Sequence, residues 1–94
     1  MKTYNIQISA VMQNRTYPEA GNALYNIIES KAGSYDRFVL DLQNVELVPS
    51  MFLNTSIGRL YADNGLDYIK QKIAFKNVSV SQMERIRNYV NGLK

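Results

Sequence analysis

Segments with strand periodicity alternate with segments with helix periodicity along this chain of 94 residues, and this alternation constrains the fold more than any other feature. In chain order the pattern predicts a strand at 4–10, a helix from Thr16, a strand at 37–42, a helix from Ser50, a strand at 72–76 and a helix from Ser79. Strands joined through helices form parallel pairs with right-handed crossovers. We therefore predict one α/β domain spanning residues 1–94, with a small, mostly parallel sheet of three to four strands and about three helices.

The three predicted strands differ in their environments. Residues 4–10 alternate apolar and polar side chains, which is typical of a half-exposed strand. Residues 37–42 are apolar on both faces and predict a central strand covered by helices on each side. Lysines in 72–76 predict an edge strand. Residues 43–48 predict a turn and a short extended piece, and 66–69 a turn.

Polar residues at fixed spacing predict where the helices begin. Thr16 and Glu19 have the spacing of a capping box, and so do Ser79 and Gln82. Ser50 follows a proline and is predicted to cap the middle helix with its hydroxyl. Gly33 and the Asp-Asn-Gly sequence at 63–65 are predicted to end the first and second helices.

The chain contains no cysteine and no histidine, which excludes several kinds of chemistry within it. Zinc sites use cysteine and histidine, and serine or cysteine triads need an imidazole. No acidic loop with calcium-binding spacing occurs. We therefore expect no metal, no cofactor and no enzymatic activity. The longest apolar run has three residues, so we also expect no membrane partner and a cytoplasmic location.

Asp41 is the one carboxylate at the predicted carboxyl end of the central strand, where open α/β sheets place ligands. A catalytic interpretation requires a second carboxylate, and Glu46 is the nearest. The structural alternative is that Asp41 accepts backbone N–H groups from the Gln43–Asn44 turn. Contact with a partner is the third interpretation.

Basic residues are concentrated in the second half of the chain, although the net charge is only +3. Lys70 precedes the predicted last strand, Lys72 and Lys76 are its first and last residues, and Arg85 and Arg87 lie on the last helix. They raise the alternative of a module that binds nucleic acid or a nucleotide. The small net charge makes nucleic acid the weaker alternative, because such binders carry a strongly basic footprint.

Residues 38–61 are the most distinctive stretch. They run from Phe38-Val39-Leu40-Asp41-Leu42 through a loop to Pro49-Ser50-Met51-Phe52 and then Ile57-Gly58-Arg59-Leu60-Tyr61. This stretch resembles the centre of a STAS domain, the fold of anti-sigma-factor antagonists, and more closely a compact family of uncharacterised bacterial STAS-like domains. The resemblance also takes in Ile73-Ala74-Phe75-Lys76-Asn77 and covers about residues 16–90.

The resemblance implies a regulatory module that works by protein–protein contact. Its partner would be a histidine-kinase-like ATPase, a serine kinase or anti-sigma factor, or a second copy of the domain. In antagonist-type STAS domains a partner kinase phosphorylates a serine at the start of the helix, and that position is Met51 here. Ser50, one residue earlier, is the remaining candidate phosphoacceptor. The alternative is that Ser50 only caps its helix.

The predicted partner-binding residues follow the central strand. Asn54 lies one helical turn beyond Ser50 and shares its face, and Asn44 joins them if the turn folds back. Met51 is suited to docking because methionine adapts to partner surfaces. The alternative for Met51 is packing beneath the preceding loop. We therefore predict a partner-binding site of Asp41, Asn44, Ser50, Met51 and Asn54.

Overall fold

The computed structural model describes residues 1–93, which form three strands and six helices. In chain order these are β1 (Thr3–Gln7), α1 (Ile8–Met12), α2 (Tyr17–Lys31), β2 (Arg37–Asp41), α3 (Ser50–Thr55), α4 (Ile57–Asn64), α5 (Leu66–Lys72), β3 (Ile73–Lys76) and α6 (Val80–Asn91).

The strands form one sheet in the order β1-β2-β3, and both pairings are parallel. Thr3 pairs with Arg37, and Phe38 pairs with Ile73. The predicted α/β class, the central position of β2 and the edge position of β3 are confirmed. Residues 43–48 form a turn and an irregular segment, so no fourth strand occurs within residues 1–93.

Both crossovers lie on the same side of the sheet. The sequential strand order means that the chain moves in one direction across the sheet, and right-handed crossovers then place their helices on one face. Side-chain alternation agrees, because Ile6, Phe38, Leu40 and Ile73 belong to the core. Among residues 1–93, that core contains Ile6, Ile8, Val11, Ala20, Leu24, Ile28, Phe38, Leu40, Leu42, Val48, Phe52, Leu53, Ile57, Leu60, Ile69, Ile73 and Ile86.

The opposite side of the sheet, hereafter the open face, carries no helix of residues 1–93. It is formed by Thr3, Asn5, Gln7, Arg37, Val39, Asp41, Ala74 and Lys76. Arg37 is exposed, and Val39, although half-buried, does not pack against the core. The prediction of helices on both sides of the central strand is therefore wrong, because a strand with apolar residues on both of its faces does not require two covering layers.

The helix count exceeds the predicted three because two short helices occur where the sequence predicts other structures and the middle helix is broken in two. The sequence pattern places residues 8–10 in the first strand, but they begin α1, whose Ile8 and Val11 are buried at helical spacing. It places residues 66–69 in a turn, but they begin α5, which buries Ile69. The middle helix breaks at Ser56, whose hydroxyl donates a 2.7 Å hydrogen bond to the Phe52 carbonyl.

Both predicted capping boxes are present. The Thr16 and Ser79 hydroxyls accept the backbone N–H groups of Glu19 and Gln82, and the side chains of those two residues accept the cap N–H groups in return. The second predicted end is also confirmed, since Gly65 adopts a φ of 88° immediately after α4. That left-handed conformation favours glycine and lets the chain turn directly into α5.

Helices α2 and α3 approach closely at Gly21. A Cβ atom built on Gly21 would lie 1.8 Å from Thr55 Oγ1 and 2.6 Å from the Phe52 carbonyl oxygen. Only a residue without a side chain fits at this contact. The contact fixes the position of α3 against the sheet and therefore the position of the segment that precedes it.

None of the helices in residues 1–93 has the length and apolar character needed to span a membrane.

Candidate functional site

Asp41 lies at the carboxyl end of β2 and is 7% exposed. Its Oδ1 accepts a 2.8 Å hydrogen bond from Asn77 Nδ2 and a 3.0 Å bond from the Gln43 backbone N–H. Lys76 Nζ lies 4.0 Å from the other carboxylate oxygen. The predicted acceptance of a turn N–H is confirmed. The catalytic and partner-contact interpretations have less support, because the carboxylate is occupied by groups of its own chain.

These contacts also change the acidity of Asp41. The hydrogen bond from the Asn77 side chain lowers the pKa of the Asp41 carboxyl group most, followed by the Gln43 N–H and the charge of Lys76. Each of the three groups stabilises the ionised form. Asp41 is therefore a carboxylate at neutral pH that holds the Gln43–Asn44 turn against the end of β3.

Asn44 adopts a φ of 66°, in the left-handed region that asparagine tolerates better than most residues. It borders a groove of about 400 Å³ at the carboxyl ends of β1 and β2. Met12, Tyr17 and Leu47 line the same groove, together with Ser9, Gln13, Val45 and Glu46.

Ser50 does not cap α3, and this prediction is wrong. The capping position belongs to Pro49, whose carbonyl accepts the N–H groups of Phe52 and Leu53. Ser50 is instead the first residue of the helix, and its hydroxyl makes no cap hydrogen bond. The reason lies in Pro49, which already has the extended backbone conformation of a cap residue and leaves Ser50 inside the helix. The Ser50 side chain is exposed.

Met51 is 58% exposed in the first turn of α3, so the alternative of packing beneath the preceding loop is wrong. Leu47 is 57% exposed in the loop just before the helix. Sequence reasoning missed Leu47, because its neighbour Val48 is buried at 2% and nothing in the local pattern distinguishes the two. Two large apolar side chains thus face solvent on either side of the exposed Ser50.

Asn54 is held by the last helix. Tyr89 donates a hydrogen bond of 2.8 Å from its hydroxyl to Asn54 Oδ1. Next to this contact, α3 and α6 border a groove of about 500 Å³. The groove is lined by Ser50, Leu53, Ser81, Glu84, Arg85, Asn88 and Tyr89. Ser50 and Asn54 therefore lie beside α6, whereas Asn44 lines the groove at the carboxyl ends of β1 and β2.

Leu47 lies near both grooves in the chain. It lines the groove that contains Asn44 and lies three residues before Ser50. We use the term docking surface for Leu47, Ser50, Met51 and Asn54. The loop beneath this surface is fixed by the buried Gln82, whose side-chain amide donates hydrogen bonds to the carbonyls of Val45 and Glu46.

The basic residues of the second half do not form one surface. Lys76 belongs to the open face and lies beside Asp41, whereas Arg85 lines the groove that contains Ser50, on the helical side of the sheet. The nucleic-acid alternative therefore lacks the continuous basic patch that such binding uses.

Within residues 1–93, no group of three or more carboxylate, histidine or cysteine side chains is arranged to hold a metal ion.

Comparison with known proteins agrees with the resemblance seen in the sequence. The model of the STAS-like domain of unknown function (DUF4325) matches residues 20–83, which is more than half of the chain. Neither the curated proteins nor the solved structures include a match. The matched segment runs from the first turn of α2 to the first turn of α6 and includes the whole docking surface. This chain therefore belongs to the STAS-like family DUF4325.

Proposed function

We propose that this chain is a non-enzymatic regulatory module that binds a protein partner through the docking surface. The observation that carries the proposal is the exposure of Leu47 and Met51, at 57% and 58%, on either side of Ser50. Exposed apolar side chains that form one patch mark interaction sites, and the proposal places Leu47 and Met51 in one such patch. Methionine in particular adapts its shape to a partner.

The polar residues of the docking surface supply specificity in this proposal. Ser50 and Asn54 present uncharged hydrogen-bonding groups beside the two apolar side chains. Asp41 acts indirectly, because its hydrogen bond to Gln43 N–H fixes the turn from which the loop starts. Asn44 borders the groove next to Leu47 and extends the contact area in that direction.

The class of partner proposed here rests on the resemblance to anti-sigma-factor antagonists, and the family match supports the STAS-like relationship on which that resemblance depends. We propose a histidine-kinase-like ATPase or a serine kinase/anti-sigma factor as partner, with a second copy of the chain as the other candidate. Ser50 is the proposed phosphoacceptor, since Met51 cannot accept phosphate. Arg85 and Glu84 line the same groove as Ser50, so a phosphate there would attract the first and repel the second.

Affinity capture from an extract of the native host tests the docking surface. The wild type is compared with a Leu47→Ser/Met51→Ser double variant and with Val80→Ser, a control whose parent side chain is 79% exposed on α6. We expect a partner that the wild type and Val80→Ser retain and that the double variant loses. Equal retention by all three proteins would show that the partner binds elsewhere.

Phosphorylation is tested separately with the captured partner and ATP. Intact-mass measurement should show one added phosphate on the wild type and none on Ser50→Ala, while Ser79→Ala remains a substrate. A phosphate that persists in Ser50→Ala would remove Ser50 as the acceptor and leave the docking proposal standing.

A further inference from the structure

A second surface of this chain, the open face, combines exposed polar and cationic side chains with half-buried apolar ones. Thr3, Asn5 and Gln7 of β1 are exposed, as are Arg37 and Lys76 on the other two strands. Val39 and Ala74 lie side by side in the middle of the face and are half-buried. The face shares no residue with the docking surface.

Parallel sheets are almost always covered on both faces, because their crossovers bring helices to each side. Here both crossovers lie on one side, and the second layer is absent from residues 1–93. Val39 is a β-branched apolar residue on the central strand, and its side chain does not pack against the core. The missing element is therefore a layer that lies over Val39 and Ala74.

The dimensions of the open face fit a single helix. Three strands spaced by about 4.8 Å are about 10 Å wide, which is close to the diameter of one α-helix. The longest strands have five residues, or about 17 Å, which equals about three helical turns. One helix of about eleven residues would cover the face.

The charges of the open face select an acidic occupant. Asp41 is its only carboxylate, and that group is already bound by Asn77, Gln43 and Lys76. Arg37 has no carboxylate within ion-pair distance among residues 1–93. Lys72 lies just before β3 and adds a cation at the same edge, partly balanced by Asp36 in the loop before β2.

We propose that the open face binds one acidic amphipathic helix of a partner protein. Its small apolar side chains lie on Val39 and Ala74, and its carboxylates face Arg37, which has no ion pair among residues 1–93. A second copy of this chain fits less well, because it brings the same Arg37 and a net charge of +3. Charge complementarity of this kind determines which partners are accepted.

A stapled helical peptide provides the probe. It carries an alanine and leucine stripe flanked by glutamates, and a second peptide carries lysine in place of each glutamate. Binding to the full chain is measured by fluorescence anisotropy, and the contact site is mapped by amide chemical shifts in NMR. We expect the acidic peptide to bind and to shift the amides of Asn5, Val39 and Ala74.

Charge-matched variants separate this face from general attraction. Arg37→Glu should weaken binding of the acidic peptide by about fivefold or more, and Arg37→Glu/Val39→Glu should abolish it. The control Val80→Glu/Arg87→Glu makes the same change of charge at exposed positions of α6 and should alter affinity by less than about twofold. Circular dichroism verifies that each variant is folded, and the exposed position of Arg37 makes its single variant the one least prone to misfold.

Four outcomes of the peptide experiments would overturn the proposal. They are equal binding of both peptides, the absence of amide shifts at millimolar peptide, shifts confined to α3 and α6, and an equal loss of affinity in the control variant. If a single-stranded oligonucleotide bound more tightly than the acidic peptide and shifted the same amides, the face would be assigned to nucleic acid instead. A dimer in sedimentation velocity that Val39→Glu dissociates would assign it to a second copy.

Discussion

Asn77 Nδ2 donates a hydrogen bond of 2.8 Å to Asp41 Oδ1, and this bond joins the carboxyl ends of β2 and β3. From these two ends the chain continues to α3 and to α6. The Leu42 N–H reinforces the junction by donating a 3.0 Å bond to the Lys76 carbonyl. The two segments that lead to the docking surface and to its α6 support therefore begin at one fixed point. Asp41 is thus a positioning residue.

The junction predicts a specific pH dependence of stability. The Asp41 pKa is lower in the folded chain than in the unfolded chain, so its contribution is present above about pH 4 and is lost as pH falls through the folded value. Asn77→Gly removes the largest cause of the lowered pKa and keeps the left-handed backbone, where φ is 55°. We expect the variant to melt at a lower temperature at pH 6 and to lose less further stability by pH 3 than the wild type.

Asn14→Gly is the control for that comparison. Asn14 also has a positive φ, of 59°, and its side chain makes no hydrogen bond among residues 1–93. The melting temperature of the Asn14→Gly variant should change with pH in the same way as that of the wild type. Parallel profiles for all three proteins would contradict the role given to Asn77.

Gly21→Ala should destabilise the fold. The new methyl group meets Thr55 Oγ1 and the Phe52 carbonyl, so α2 and α3 must separate at a cost of about 1–3 kcal/mol. Gly33→Ala meets nothing within 4 Å and should leave stability unchanged or raise it by up to about 1 kcal/mol. Urea unfolding of both variants checks the difference, and similar midpoints would refute the close approach.

Gln82→Glu separates two roles of one side chain. The carboxylate retains the acceptor for the Ser79 N–H, but it removes the donor to the Val45 and Glu46 carbonyls. We expect a loss of about 1–3 kcal/mol, because a buried carboxylate then faces carbonyl oxygens. Gln71→Glu makes the same change at an exposed site and should stay within about 0.5 kcal/mol. Chemical denaturation measures both, and amide exchange should rise in residues 45–47 of the first variant only.

Ser50→Ala should change the free energy of unfolding by no more than about 0.5 kcal/mol, because the Ser50 hydroxyl caps nothing. Ser79→Ala removes a true capping hydroxyl and should cost about 0.5–2 kcal/mol. Thermal unfolding of the two variants tests the assignment. A larger loss at Ser50 would restore the capping role that the sequence pattern predicts.

Local patterns predicted the elements whose signals are short-range. The capping boxes at Thr16 and Ser79 and the glycine turn after α4 depend on residues within one helical turn of each other, and each is present. Ser50 shows the limit of such patterns. Serine after proline matches a helix start, but only the backbone conformation of Pro49 decides which of the two residues is the cap.

The remaining differences arise from tertiary contacts. The exposure of Leu47 beside the buried Val48 depends on how Gln82 holds the loop, a contact across 36 residues or more. The open face depends on strand order, which no local pattern contains. Residues 8–10 alternate well enough for a strand, and only the burial of Ile8 and Val11 on one side shows that they begin a helix.

The strand order also determines how the chain can fold. Each strand pairs with the next strand along the chain, and both pairings close loops of roughly 35 residues, so loop entropy does not favour either one. The preference must come from the intervening helices. The β1–β2 unit encloses the short α1 and the 15-residue α2, which begins with a capping box, whereas the β2–β3 unit encloses three helices of at most eight residues. We expect the β1–α2–β2 unit to form first and to act as the template on which the rest of the sheet is built.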